Sequence, residues 1–442
     1  MTDDTRTSSA APAAASAISG HFDTRTACME VADILHDSLA GGCDLLLMFA
    51  SFHHVAAFSD AAESLRSTLE PTVMLGVTAE AVLGGEEERE GVAGFSALAL
   101  RLPGATLHAF TFTESDPLPI RQSDAMAARI GAGPGHCVTL MLVDPFSVPL
   151  RRILPAMSAC GGATPVRIAG GVASGASQPG YNRILCNDHI APHGGVGVTI
   201  SNLTERHDDA NHAGPDAPGR SGSAPASHVG PDALGRSGSG GIDVDCIVSQ
   251  GCRPIGKPLV ITKAEEHVIL ELGGRPAFDV LRETAEHLPS EEKQLLSKGL
   301  LLGAVINEYK DHFGRGDFLV RGILGFDEKR KAIQAGDIST VGQTVQFHVR
   351  DAQTAGEDLA LLLDAQQLDQ PPFGALCFTC NGRGRRLFEE PNHDLGMIHQ
   401  RLGNVPTAGF FCAGEIGPIG DRCFIHGHTA SLVLFRERAR TD

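Results

Sequence analysis

Residues 169–175 read AGGVASG and residues 408–414 read AGFFCAG, one frame of Ala-Gly-x-x-x-small-Gly used twice. Each copy follows a short strand-like lead and precedes a second apolar strand, GVGVTI (195–200) or ASLVLF (430–435), and LGVTAEA (75–81) is a looser third copy. Glycines at the end of an apolar strand let backbone approach closely, either to a polar ligand or to a second packed sheet. Both readings stand on sequence alone. Outward from these frames, CDLLLMFASF (43–52), TVMLGVT (72–78), HCVTLMLVD (136–144) and VRIAGGVAS (166–174) are continuous apolar runs of strand length. Such runs predict strands buried on both faces. Helical patches such as DAAESLRSTL (60–69) alternate with them. The fold class this predicts is α/β (mixed α+β), as two tandem domains with buried mixed sheets covered by helices.

The domain organisation follows from composition. Residues 1–21 are Ala/Ser-rich with almost nothing to bury and read as a disordered leader. A first domain is expected over 22–205 and a second over 241–438. Between them, at 206–240, HAGPDAPGRSGS (212–223) recurs as HVGPDALGRSGS (228–239), a Gly/Ser/Pro-rich duplication that reads as a linker or loop. Order resumes with alternating strands from residue 242, followed by an amphipathic helix at AFDVLRETAEHL (277–288).

The chain has 442 residues, 42% of them apolar, and a formal net charge of −17 from 53 acidic against 36 basic side chains. That sign repels phosphate backbones, and with no Trp and two Tyr there are few stacking platforms, so a nucleic-acid partner is set aside. The start lacks a secretory signal and no stretch has the length to cross a bilayer, so no membrane partner is expected. Eleven cysteines at irregular spacing then read as reduced, mostly buried residues of a cytoplasmic protein.

These features resemble the FIST proteins, which have an N-terminal and a C-terminal half. The N-half resemblance rests on DLLLMFASFHH, MLGVTAEAVLGG and IAGGVASG. That of the C-half rests on GCRPIGKPLVITKAEEHVILELGGRPAFDVL, RGILGFDEKRKAIQAGD, VGQTVQFHVRDA, ALCFTCNGRGRRLF and VPTAGFFCAGEIGPIG. Together they span roughly 40–436, in order. The resemblance implies a sensory module in stand-alone form that binds a small ligand, such as an amino acid or small carboxylate, and signals in trans to a separate output or adaptor protein. The alternative is a protein–protein scaffold with no small ligand.

Candidate chemistry concentrates in the C-terminal half. NGRGRR (381–386) gathers Arg383 between Gly382 and Gly384 after a predicted strand, where a guanidinium could grip a carboxylate. Glu415 directly follows Gly414 where a strand should end, and suits an ammonium. The expected ligand cradle is Arg383, Gly382, Gly384, Gly409, Gly414, Glu415, Gly170 and Gly171, with Arg383 and Glu415 facing one pocket. Cys377 and Cys380 have C-x-x-C spacing without the second pair a zinc site requires, and read as packing. A nucleophilic Cys412 with His426 or His428 as base needs a lowered thiol pKa, so no catalytic residue is assigned. No metal or cofactor is expected. Haem held by one of the 19 histidines, among them His53, His54, His426 and His428, is the alternative the resemblance leaves open.

Overall fold

The computed structural model describes residues 11–39, 42–202, 241–310, 312–336 and 340–438. The duplicated stretch at 206–240 lies outside them. The fold is mixed α/β, with mixed sheets covered by helices, in two tandem halves.

Three six-stranded sheets repeat one strand order. The first runs Ala13–Ser19, Phe95–Arg101, Leu45–Ser51, Val73–Ala79, then the hairpin Ile184–Cys186/His189–Ala191. The second runs Ala105–Phe112, Gly195–Asn202, His136–Val143, Ile168–Val172, then the hairpin Glu415–Ile419/Arg422–His426. The third runs Ile242–Gln250, Thr429–Glu437, Gly374–Cys380, Thr407–Cys412, then the hairpin Val82–Gly84/Glu87–Arg89. In each, the third and fourth strands are parallel and joined by a crossover helix: Phe58–Leu69, Leu150–Ala159 or His393–Leu402. Every sheet therefore borrows its last hairpin from another unit. The exchange is cyclic: the first unit's hairpin completes the third sheet, the third's completes the second, and the second's completes the first. The N- and C-terminal halves interlock through two of these three exchanges.

Burial on both faces explains the apolar runs. Leu47, Phe49, Leu75, Leu140, Leu142, Phe378, Phe410 and Val433 from all three sheets fill one central core, with Phe49 stacked on Phe410 at 5.3 Å. The alternate residues face helices, as Leu46 and Met48 do against Val31, Leu35 and Leu65. The helix Thr24–Ser38 and its counterpart Ala352–Gln366 are capped alike, by Asp23 accepting from Thr26 N and Asp351 accepting from Thr354 N. Between Ile242–Gln250 and this second helix, the third unit carries an insertion. It is a seven-stranded sheet that closes on itself where Cys252–Glu265 also pairs with Val268–Leu272.

Two sequence expectations change. Part of the 1–21 leader is ordered: Ala13–Ser19 is an edge strand pairing antiparallel with Phe95–Arg101. Its small side chains suit that place, since Ala14 packs against Gly374 where a Cβ would lie 2.7 Å away. Gly170 and Gly409 lie inside strands rather than in turns. Both nevertheless occupy one equivalent position, with Gly76 as the third, opposite Met141, Cys377 and Met48 respectively.

Candidate functional site

The shared register allows the three units to be compared position by position. Opposite the residue after the core glycine stand Ile184, Glu415 and Val82. Three residues before the partner of Met48, Met141 or Cys377 on the antiparallel strand stand Gly94, Gly194 and Thr429. Two units thus place an aliphatic residue and a glycine where the third places Glu415 and Thr429. The fold does not need that pair.

Glu415 is 0% exposed. One of its oxygens accepts from Thr429 N at 3.2 Å and Thr429 Oγ1 at 2.8 Å. The other, Oε1, has no partner among the described residues. Burial pushes this carboxyl up to about 8, and the Thr429 bonds and the field of Arg383 offset only part of that.

Arg383 is also 0% exposed. Its Nε and Nη2 donate to Asp394 Oδ2 and Oδ1 at 2.8 and 2.7 Å, so the fork expected to grip a ligand is occupied by an internal carboxylate. Nη1 is left buried without a partner among the described residues. Asp394 also accepts from Thr379 Oγ1 at 2.6 Å. Burial opposes its charge, yet Arg383 and the His393 ring, whose Nδ1 lies 3.0 Å from Asp394 Oδ1, hold the carboxyl well below the usual range.

Asn381 Oδ1 and His428 Nδ1 are buried and unpartnered in the same neighbourhood. A Cβ on Gly382 would lie 3.1 Å from His428 Nδ1 and 3.5 Å from Cys380 Sγ, and one on Gly251 would lie 3.1 Å from Arg383 Nη1. Gly382 N donates to Cys380 Sγ at 3.3 Å. His428 holds a left-handed backbone with φ 64°, uncommon for a residue with a side chain. Asn381, Gly382 and His428 are half-buried here, and Arg350 beside them donates to Gly382 O and Arg386 O. Arg383 and Glu415, with Gly382, are therefore brought to one polar cluster at the C-terminal end of the strand Gly374–Cys380, a member of this mixed sheet's parallel pair. Gly384 faces away, toward Glu90 of the first unit's hairpin. Gly170, Gly171, Gly409 and Gly414 lie in the sheet contacts behind: a Cβ on Gly171 would meet Cys412 Sγ at 2.4 Å.

Sequence reasoning missed Asp394, Thr429, Asn381, Gly251 and Arg350. Only a three-way internal alignment on Gly76, Gly170 and Gly409 could have flagged Thr429. The N-terminal half contributes from behind: Glu88 accepts from Leu395 N at 2.9 Å, and Glu90 accepts from Arg385 N at 3.0 Å. Arg386 pairs with Glu80.

The other candidates are placed as follows. All eleven cysteines are free. Cys377 and Cys412 are fully buried, and burial pushes both thiols well above their ordinary value, so neither supplies a thiolate. His426 Nε2 is bonded to Gly417 O at 3.0 Å. His53 and His54 sit in the first unit among Phe22, Phe52 and Phe95, apart from this cluster. Among the described residues, no group of three or more His, Cys, Asp and Glu could hold a metal ion, and no helix is long and apolar enough to cross a membrane.

Two buried carboxyls predict a pH dependence. Burial raises Glu88 and Glu415 from the ordinary 4.5 to about 8. They bind protons in the fold that the unfolded chain has released, so the stability they give is present below about 4.5 and lost as pH rises through about 8. His54, His136, His348, His426 and His428, lowered by burial from 6.5 to about 4, act with the opposite sign between those values. Between about pH 6.5 and 7.5, above the histidines and below the range in which thiols of the unfolded chain ionise, these carboxyls dominate, and the melting temperature should fall. Glu88→Gln and Glu415→Gln should each flatten that fall in calorimetric scans. A slope unchanged in both variants would show that these carboxyls are not buried as described.

The FIST N domain family matches residues 44–275 and the FIST C domain family residues 277–418. An uncharacterized protein of Mycobacterium tuberculosis is 36% identical over 418 residues, covering 93% of this chain and 97% of its own length. One of Mycobacterium bovis is 35% identical over 420 residues, covering 93% and 96%. FIST domains are generally regarded as sensory signal-transduction domains.

Proposed function

The chain belongs to the FIST family, and on that premise we propose that it is a non-catalytic sensory module whose small polar ligand binds among Arg383, Glu415, Asn381, Cys380 and His428. The observation that carries this is the departure of the third unit from its two sisters. Val82 with Gly94, and Ile184 with Gly194, become Glu415 with Thr429. A buried carboxyl with an unmatched oxygen costs stability on the order of 1–3 kcal/mol, and such costs gather where a ligand is to be met. The ligand reads as an amino acid or small carboxylate, and the signal passes to a separate output or adaptor protein. A cytoplasmic location fits the eleven free thiols.

Glu415→Val restores the residue of the first unit, so the variant should fold and melt no lower than the parent. In a thermal-shift panel of amino acids and small carboxylates, a member that raises the parent's melting temperature should lose its effect in Glu415→Val. A shift that survives the substitution would place the ligand elsewhere. If no member shifts the parent, the scaffold reading leads, and it has one observation in its favour. Phe22 and Phe52, 73% and 45% exposed, flank His53 as an aromatic cluster at the end of the first unit's strand.

A further inference from the structure

Resting on that site, we infer that its ligand is anchored by an anion, a carboxylate with no ammonium beside it, held between Arg383 Nη1 and the unmatched Glu415 oxygen.

The groups facing the site from each packed element decide the sign. From the strand Gly374–Cys380 and the loop after it come Cys380, Asn381 and Arg383. The hairpin Glu415–Ile419 brings Glu415, and the lead into Thr429–Glu437 brings His428 and Thr429. From the insertion come Cys252 and, beside Gly382, Arg350. Behind Arg383 stand Asp394 and, beyond Leu395, Glu88. Arg383 and Asp394 compensate one another. The thiols and His428 are neutral, since burial raises Cys380 and Cys252 to about 12 and lowers His428 to about 4. Arg350 donates to two carbonyls and has no carboxylate partner among the described residues. The local balance is thus one uncompensated positive charge.

Hydrogen bonding points the same way. Glu415 Oε2 already accepts twice from Thr429, so the proton of the neutral carboxyl belongs on Oε1, the oxygen without a partner. Arg383 Nη1 is a donor by necessity. Two buried donors without partners match the two oxygens of a carboxylate. An ammonium would meet Arg383 and Arg350 with no ionised acid facing it. Asn381 and the neutral His428 each offer a donor and an acceptor, so they orient a ligand without choosing its charge. The zwitterion grip expected from Arg383 and Glu415 as opposite charges is replaced by two donors acting together.

The test compares propionate, alanine and ethylamine as probes on the full chain, each on the order of 10 mM, by thermal shift and calorimetric titration. Propionate should raise the melting temperature by a few degrees, alanine less, and ethylamine not at all. Glu415→Gln, which keeps a donor at that position, should retain propionate binding, whereas Glu415→Val should lose it. Parent affinity for propionate should weaken about tenfold between about pH 7 and 9 as Glu415 ionises, and by less than twofold in Glu415→Gln. If alanine shifts the parent, propionate does not, and Glu415→Gln abolishes the effect, the anionic anchor is wrong while the site stands. If propionate shifts parent and Glu415→Val equally, the site itself is wrong, and the inference falls with it.

Discussion

Valine at Gly409 is expected to leave no folded protein at all. A Cβ there would lie 1.8 Å from Cys377 O and 2.7 Å from the carbonyl carbon, inside the covalent skeleton of the paired strand. Neither neighbour is a side chain that can swing away. Both belong to the parallel pair Gly374–Cys380/Thr407–Cys412 in the middle of the third sheet. Gly170 repeats the geometry at 1.9 Å from Met141 O and adds a φ of 151°, a backbone region in practice reserved for glycine. Gly76, the third equivalent, is looser, 3.1 Å from Met48 O. Destabilisation beyond about 4–5 kcal/mol is therefore expected at 409 and 170 even for alanine, and a milder loss at 76. Gly396→Ala, in a helix where nothing lies within 4 Å of the new Cβ, serves as control and should gain about 0.5–1 kcal/mol. Urea melts of the soluble variants, with circular dichroism of any that express poorly, measure the series. An alanine at 409 that melts within a few degrees of the parent would show that the three glycines are not the close-approach points of a common unit.

That common unit was half visible in the chain. The runs around Leu47, Leu75, Leu140 and Leu376 could be read as doubly buried strands because burial on both faces leaves no alternation to confuse them. The glycine frames could be read because close backbone approach admits one residue type. What pairs with what could not. The Val82–Gly84 hairpin binds Thr407–Cys412 across more than three hundred residues of chain, and no local pattern records that partner. Ala13–Ser19 looked empty for a related reason: an edge strand wedged beside Gly374 needs small residues, and small residues also mark a disordered tail. At the site, position was legible and chemistry was not. Arg383 and Glu415 follow the strands that place them, yet the charge each presents depends on Asp394 and Thr429, chosen by the fold from elsewhere.

Asp394→Asn is the second substitution expected to act strongly. It removes the only carboxylate, among the described residues, bonded to a guanidinium that is 0% exposed. Arg383 would keep its charge in an interior with no bonded carboxylate among the described residues, beside the Phe388 ring, 5.2 Å from its centre and itself stacked on His393 at 3.4 Å. Breaking one side of such a pair costs about 3–5 kcal/mol, because the partner's charge stays buried. Replacing both members with apolar residues of similar volume, Arg383→Met with Asp394→Leu, removes the uncompensated charge and should recover most of that loss. A double-mutant cycle on urea midpoints separates the two cases, and a loss below about 1 kcal/mol for Asp394→Asn alone would refute the pairing as a structural tie. The same variant reports on the interlocked halves. The first unit's hairpin brings Glu88 against Asp394, and after burial it is the negative charge of Asp394 that most raises the Glu88 carboxyl. With that charge gone, Glu88 should ionise at lower pH, and the fall of stability between about pH 6.5 and 7.5 should become shallower. The tie is absent below the range in which Asp394 is ionised, so parent and variant should converge in stability as pH drops beneath the ordinary carboxylate value near 4, if both remain folded there.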